Sequence, residues 1–272
     1  MTAGPPELLH LPDAERFHRV FGGRRTPALF EGAARSWPAS YRWSLDFFER
    51  DVGATAVPVA TGLYVAGAVP GTADRLGESV EMTLAEYVRQ LRDGDAREPR
   101  YLAGPETFQR LPSLLEDLRF APYPPLERFA ERSFWMGPPG TVTQLHMDRA
   151  QNLYAQFVGR KRWLLFSPEK ARAMQPLRIH WAASLCGHEL GEDALGLLAR
   201  QGVTPDHDFE VRPGDVLFLP YGWWHRVETV ELSVAANYWW WTLPMALRRG
   251  PSVAVQSLWA GARAARHGRK AA

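Results

Sequence analysis

Residues 140–161 read GTVTQLHMDRAQNLYAQFVGRK, and residues 213–225 read PGDVLFLPYGWWH. Short apolar or alternating runs bounded by glycine and proline are the signature of strands joined by tight turns. Successive strand side chains point to opposite faces, so His146 and Asp148 share one face while Met147 points away. An HxD pair alone is common by chance, and a third donor has to arrive from another strand. His225 supplies it, directly after PYGWW, where Gly222 lets the backbone bend sharply and the tryptophans can wall off a site. Two imidazoles and one carboxylate make the facial donor set that holds non-haem Fe(II) and leaves positions open on the metal.

Outward from these stretches the same texture continues. From Ser133 the runs SFWMG, VTQLHM, NLYAQFV, KRWLLFS, DFEVRPG, DVLFLP, HRVETV and SVAANYWWW follow one another. Eight short strands with Gly and Pro turns predict an antiparallel barrel or jelly roll, a mainly β fold with flanking helices. The long helical pattern at 168–200 interrupts them, and LRIHWAASLCGHELGEDALGLLARQGVTPDHDF (177–209) reads as a helical insertion carrying exposed His180, His188 and His207. Cys186 reads as packing, and Trp239, Trp240 and Trp241 as barrel or interface packing.

The N-terminal part is mixed. DAERFHRVFGG predicts a helix capped by Asp13 and ended by Gly22 and Gly23. TPALFEGAARSWP reads as an edge strand, SLDFFERDVG as a short helix from Ser44, and TAVPVATG and LYVAG as strands around a glycine turn. In MTLAEYVRQLRDG, Thr83 and Glu86 have capping-box spacing, Leu84, Val88 and Leu91 recur on one face, and Gly94 follows. RYLAG around Tyr101 is a small strand and LPSLLEDLRF a further helical piece. We therefore divide the chain into flanking elements over 1–100, a core over 101–243 with an insertion near 168–207, and a helical extension over 244–272.

With 272 residues, 46% hydrophobic and 12% aromatic, the chain can bury a full core. One cysteine, Cys186, excludes an intrachain disulfide and fits a reducing compartment. The start lacks a basic stretch followed by an apolar one, and no apolar run is long enough to span a membrane. A cytoplasmic protein with no membrane partner is expected. Arg248, Arg249, Arg263, Arg266, Arg269 and Lys270 lie in an acid-free tail, which leaves 26 basic and 30 acidic residues in the first 243. A mildly acidic body with six cations spread along one tail reads as a solvated helix face, not as a nucleic-acid surface.

Gly140, His146, Asp148, Asn152 and Gly159 together resemble the first cupin motif, with aspartate in place of its second histidine and asparagine in place of its glutamate. Gly214, Pro220, Gly222 and His225 are similar to the second, although Thr229 stands where that motif usually has asparagine. More narrowly the chain resembles the Jumonji C group of Fe(II)- and 2-oxoglutarate-dependent oxygenases, in particular the cupin-like branch that includes the asparaginyl hydroxylase acting on hypoxia-inducible factor. The resemblance spans Tyr101 to Trp241 and implies a double-stranded β-helix core. It also implies Fe(II) on His146, Asp148 and His225, with 2-oxoglutarate held by Thr143, Lys161 and Tyr101 and its pocket lined by Asn152 and Asn237. Lys161 taken alone is a surface lysine in GRKR. Beside the metal motif it is the point charge that a distal carboxylate needs, and the hydroxyls of Thr143 and Tyr101 would satisfy the remaining lone pairs.

The implied activity uses O2 and 2-oxoglutarate, releases succinate and CO2, and hydroxylates an amino-acid side chain in a peptide or protein, a ribosomally made peptide included. A free amino acid or natural-product intermediate is the alternative substrate; N-methyl demethylation, or a cupin with another metal chemistry, is the alternative reaction. Arg149 and Gln151, beside the triad, and Trp223, before His225, are candidate substrate contacts by position. Related oxygenases dimerise through C-terminal helices. Pro251 can begin such a helix here, and a homodimer through Val255, Leu258 and Trp259 is expected, with packing of the helix back onto its own barrel as the alternative.

Overall fold

Apolar residues at every second position put one row of side chains on each face of a strand, and two such sheets close on each other by burying their facing rows. A computed structural model describes residues 4–12, 14–21, 24–61, 79–94, 100–120, 130–180, 183–190 and 193–240. The N-terminal third contributes β1 (Glu7–Leu8), α1 (Ala14–Phe21), β2 (Ala28–Phe30), α2 (Pro38–Arg42), α3 (Leu45–Arg50), β3 (Ala56–Thr61), β4 (Ser79–Thr83) and α4 (Leu84–Asp93). Next come β5 (Arg100–Gly104), α5 (Glu106–Arg110) and a 3-10 turn at Pro112–Asp117. The four strands β6 (Ala130–Gly137), β7 (Val142–Asp148), β8 (Gln151–Val158) and β9 (Lys161–Phe166) follow. An insertion holding β10 (Leu177–His180), β11 (Ala183–Leu185) and α6 (Ala194–Arg200) precedes β12 (His207–Val211), β13 (Val216–Leu219), β14 (Trp224–Thr229) and β15 (Ser233–Trp240).

All eight runs after Ser133 are strands, and they form a jelly roll. One sheet has the order β1-β2-β13-β8-β15-β6-β5-β3-β4, the other β10-β11-β7-β14-β9-β12. The N-terminal strands thus extend the sheet that carries β8 and β15. Leu153, Ala155 and Phe157 of β8 point outward into a core roofed by Phe17, Phe48 and Tyr87 from the helices and by Trp43 between α2 and α3. Tyr154 points inward, where it joins Trp163, Leu165, Leu217 and Trp223 between the sheets. The outer face of the smaller sheet packs Leu145, Phe166 and Trp224 against Met174, Cys186 and Leu198 of the insertion, so Cys186 is packing as expected.

Local signals are realised where they fall on described residues. Ser44 accepts from Phe47 N at the start of α3. Thr83 and Glu86 form the reciprocal capping box of α4, and Gly94 ends it in the left-handed conformation. Two elements differ from the local reading. Ala28–Phe30 is not an edge: it lies between β1 and β13, and all three residues are buried. The insertion is not simply helical, because β10 and β11 form a hairpin whose second strand pairs with β7, matching Ala183 with Asp148 and Leu185 with His146. A strand edge left open at β7 is satisfied by adding a strand to it.

His188 and His207 are half-buried, not exposed: His188 Nε2 lies 2.9 Å from Ala173 O, and His207 packs on Trp223 with ring centroids 5.7 Å apart. The Asp13 cap, Gly22 and Gly23, the LYVAG strand, Trp241 and the extension with its dimer residues lie outside the described residues, as does the His180 side chain. Among the described residues no helix is long and apolar enough to cross a membrane.

Candidate active site

Antiparallel pairing of β7 with β14 sets His225 directly opposite His146, which brings their ring centroids to 4.1 Å. Asp148, two residues along β7, turns to the same face: its oxygens lie 3.8 Å from His146 Nε2 and 3.7 Å from His225 Nε2. One donor atom from each residue falls within a common span of 4.8 Å. The approach to His225 depends on Gly222, which bends the chain at φ 89°, a conformation that favours glycine.

Each imidazole is held by its other nitrogen. His146 Nδ1 lies 2.7 Å from Gln144 O, and His225 Nδ1 lies 3.2 Å from Trp223 O. A proton on Nδ1 leaves the Nε2 lone pair aimed at the shared point, the arrangement that metal-ligating histidines use. Trp239 Nε1 donates to Asp148 Oδ2 at 3.0 Å from the opposite sheet. Trp163 lies flat beside His225, with centroids 5.7 Å apart and planes inclined by 16°. Burial, reinforced by the charge of His146, pushes the His225 imidazole well below its usual range. Burial likewise raises the Asp148 carboxyl, against the opposing pull of His146 and Trp239. A carboxylate and two imidazoles desolvated together, with their lone pairs converging, fit a divalent cation that would relieve both shifts.

Deeper in the same cavity, about 370 Å³ with its mouth, lies a cation. Lys161 is 2% exposed and donates to the Tyr101 hydroxyl at 2.5 Å. Among the described residues it has no carboxylate partner, and burial pulls its ammonium down to about 7. A buried ammonium without an anion fits a ligand that brings its own carboxylate. Tyr101 can reach it because Gly137 leaves room: a Cβ there would sit 2.1 Å from the tyrosine ring. Thr143 also lines the cavity, as do Asn152 and Asn237. These two amides are coupled, Asn237 donating to Asn152 at 3.0 Å and accepting from Trp135 Nε1 at 2.7 Å.

The triad and the five positions named for the cosubstrate therefore surround one cavity. The three positions named for substrate do not line it. Arg149 donates to Ser184 on β11, Gln151 accepts from Tyr221 N, and Trp223 is buried between the sheets with its indole nitrogen on Arg25 O. Trp135, Tyr154, Trp163, Val227 and Trp239 line it unforeseen. For Trp239 a signal existed, since two-residue periodicity from Asn237 puts both on one face. Thr229, the departure from the motif, accepts from the Thr141 hydroxyl at 2.8 Å, so the position is structurally satisfied.

The model of the cupin-like domain matches residues 14–245. The chain belongs to the cupin-like domain family. Among its relatives, "Lysine-specific demethylase 8" of Danio rerio is 30% identical over 239 residues, covering 85% of this chain and 57% of that protein. The "Bifunctional peptidase and (3S)-lysyl hydroxylase JMJD7" of Homo sapiens is 30% identical over 271 residues, covering 87% of this chain and 82% of the human one. "Jumonji C domain-containing protein 5" of Drosophila melanogaster is 25% identical, with 85% and 59% covered. This cupin-like chain spans little more than half the length of the first and third of these relatives.

Proposed function

We propose that the protein is an Fe(II)- and 2-oxoglutarate-dependent oxygenase that hydroxylates an amino-acid side chain in a peptide or protein. The observation that carries this reading is the placement, in one cavity, of a three-donor cluster and a buried lysine that meets no carboxylate among the described residues. Other cupin metal chemistries need the first and have no use for the second.

His146, Asp148 and His225 would hold the iron, and Lys161 with Tyr101 and Thr143 would hold the distal carboxylate of 2-oxoglutarate. When bound, iron and 2-oxoglutarate supply oxidative decarboxylation to succinate and CO2 coupled to oxidation of a C–H bond by O2. The chain's own residues bind, orient and exclude water. Trp239 fixes which carboxylate oxygen of Asp148 stays on the donor point, and the Asn152–Asn237–Trp135 chain locks both amides in one rotamer. Trp163 and Tyr154 pack edge to face over the inner wall and keep it dry.

The mouth favours a cationic side chain. Glu131 shares the inward face of β6 with Trp135 and stands opposite Trp239 on β15. Glu131 is exposed, yet its carboxyl is raised by desolvation and then by the like charges of Glu106 and Asp148. Aromatic walls with the carboxylates of Glu131 and Glu106 near one another suit an ammonium or guanidinium, in keeping with relatives named for lysine. Succinate release with Fe(II) and 2-oxoglutarate is to be measured against peptides presenting Lys, N-methyl-lysine, Arg, Asn or Ala in one context, and against the free amino acids, with product masses recorded. A gain of one oxygen on a Lys or Arg peptide is expected. Loss of a methyl from N-methyl-lysine would place the reaction with demethylation, and turnover of free amino acids alone would remove the peptide assignment.

A further inference from the structure

Between the paired positions His225–His146 and Val227–Thr143, β14 spends one residue, Arg226, while β7 spends two, Gln144 and Leu145. Two residues facing one is a β-bulge, which bends its strand and re-aims the side chain that follows. That side chain is His146. Leu145, on the bulge, turns its backbone groups away from β14, and each finds a partner in the insertion. Leu145 O accepts from Cys186 N at 2.8 Å, and Leu145 N donates to Glu189 Oε1 at 2.9 Å. The same Glu189 oxygen accepts from Arg226 at 2.9 Å, the residue facing the bulge and following His225. Glu189 is 6% exposed and the Arg226 side chain 13%.

We infer that Glu189 is a positioning residue for the metal centre: its buried carboxylate clamps the β7 bulge to Arg226 of β14 and so sets the relative aim of His146 and His225. The insertion thereby has a task, since its strand β11 splints β7 from the outside and its following turn delivers the carboxylate. Removing the carboxylate would strand a buried backbone N–H and leave the largely buried Arg226 guanidinium with only Glu228, at 3.1 Å, as a carboxylate partner among the described residues, one residue from each histidine. The inference rests on reading the triad as a metal site, and the test separates the two.

Metal-free protein is titrated with Co(II), whose absorption reports the ligand set without turnover, and the melting temperature of each variant is recorded. Wild type binding no Co(II) would sink the triad reading itself. Given wild-type binding, Glu189→Ala is expected to weaken it about 10- to 100-fold, the usual range for partners behind a metal ligand. Glu189→Gln keeps an oxygen for Leu145 N and should recover part of that loss, remaining about threefold or more weaker than wild type. Asp117→Asn is the structural control. Asp117 is a buried carboxylate bonded to Arg42 and Trp43 in the other core, so its loss should lower the melting temperature and leave Co(II) affinity alone. If Glu189→Ala does not fold, Glu189→Gln decides. Affinity within about twofold of wild type in the deciding variant, or an equal loss in Asp117→Asn, overturns the inference.

Discussion

The Lys161 ammonium lies 2.5 Å from the Tyr101 hydroxyl and, among the described residues, faces no carboxylate. A cation buried in this way destabilises the chain that holds it until an anion arrives, and that has consequences at both ends of the folding and binding equilibria.

In the folded protein Lys161 titrates at about 7, against 10.5 when solvated. Between those values the unfolded chain holds a proton that the folded chain lacks, so stability rises with pH across that window. Below pH 7 the full cost of the buried charge is present. Lys161→Met should therefore raise the melting temperature of the ligand-free protein at pH 7 and below, and flatten its rise towards pH 10. The same variant should abolish the stabilisation that 2-oxoglutarate confers. Binding needs the protonated amine, so 2-oxoglutarate affinity in the wild type should fall as pH climbs above 7, by at most about tenfold per unit. Thermal melts against pH, with and without 2-oxoglutarate, check all three.

Gly137→Ala tests the same end of the cavity through shape alone. The added methyl would lie 2.1 Å from a Tyr101 ring carbon, so the ring has to move and carry its hydroxyl off Lys161. A KM for 2-oxoglutarate raised about tenfold, the weight of one hydrogen bond to a charged group, is expected with Co(II) affinity unchanged. An unaltered KM would show that Tyr101 plays no part in cosubstrate binding.

His146→Ala and His225→Ala should each lose metal binding and turnover, since each removes one of three donors. Trp239→Phe should be graded: it keeps the aromatic wall but frees Asp148 Oδ2, and metal affinity should fall about tenfold. Equilibrium dialysis against Fe(II) under anaerobic conditions gives both results, and a Trp239→Phe protein with native affinity would show that the indole hydrogen bond is dispensable.

Glu131→Gln addresses the mouth. Its solvent contact keeps the effect small, a rise of about two- to fivefold in KM for a Lys or Arg peptide at low ionic strength, shrinking as salt is added. The KM for 2-oxoglutarate should not change. Equal KM values for cationic and neutral peptides in the wild type would argue against a cation-selective mouth.

Short-range chemistry was legible in the sequence by itself. The Thr83–Glu86 capping box, the Ser44 cap and the eight short apolar or alternating runs depend on residues within a few positions of each other, and all stand as the local pattern implied. The HxD spacing likewise puts His146 and Asp148 on one face of any strand that holds them. Which residues meet across the molecule was decided by tertiary structure, because it depends on strand register set by turns and bulges tens of residues apart. Register places His225 opposite His146, buries a lysine that reads locally as part of an exposed turn, and swings Trp239 onto Asp148 and Trp135 onto Asn237. It also turns a stretch with helical texture into a strand, since an open edge on β7 offers backbone hydrogen bonds that outweigh the local preference of Ala183–Leu185.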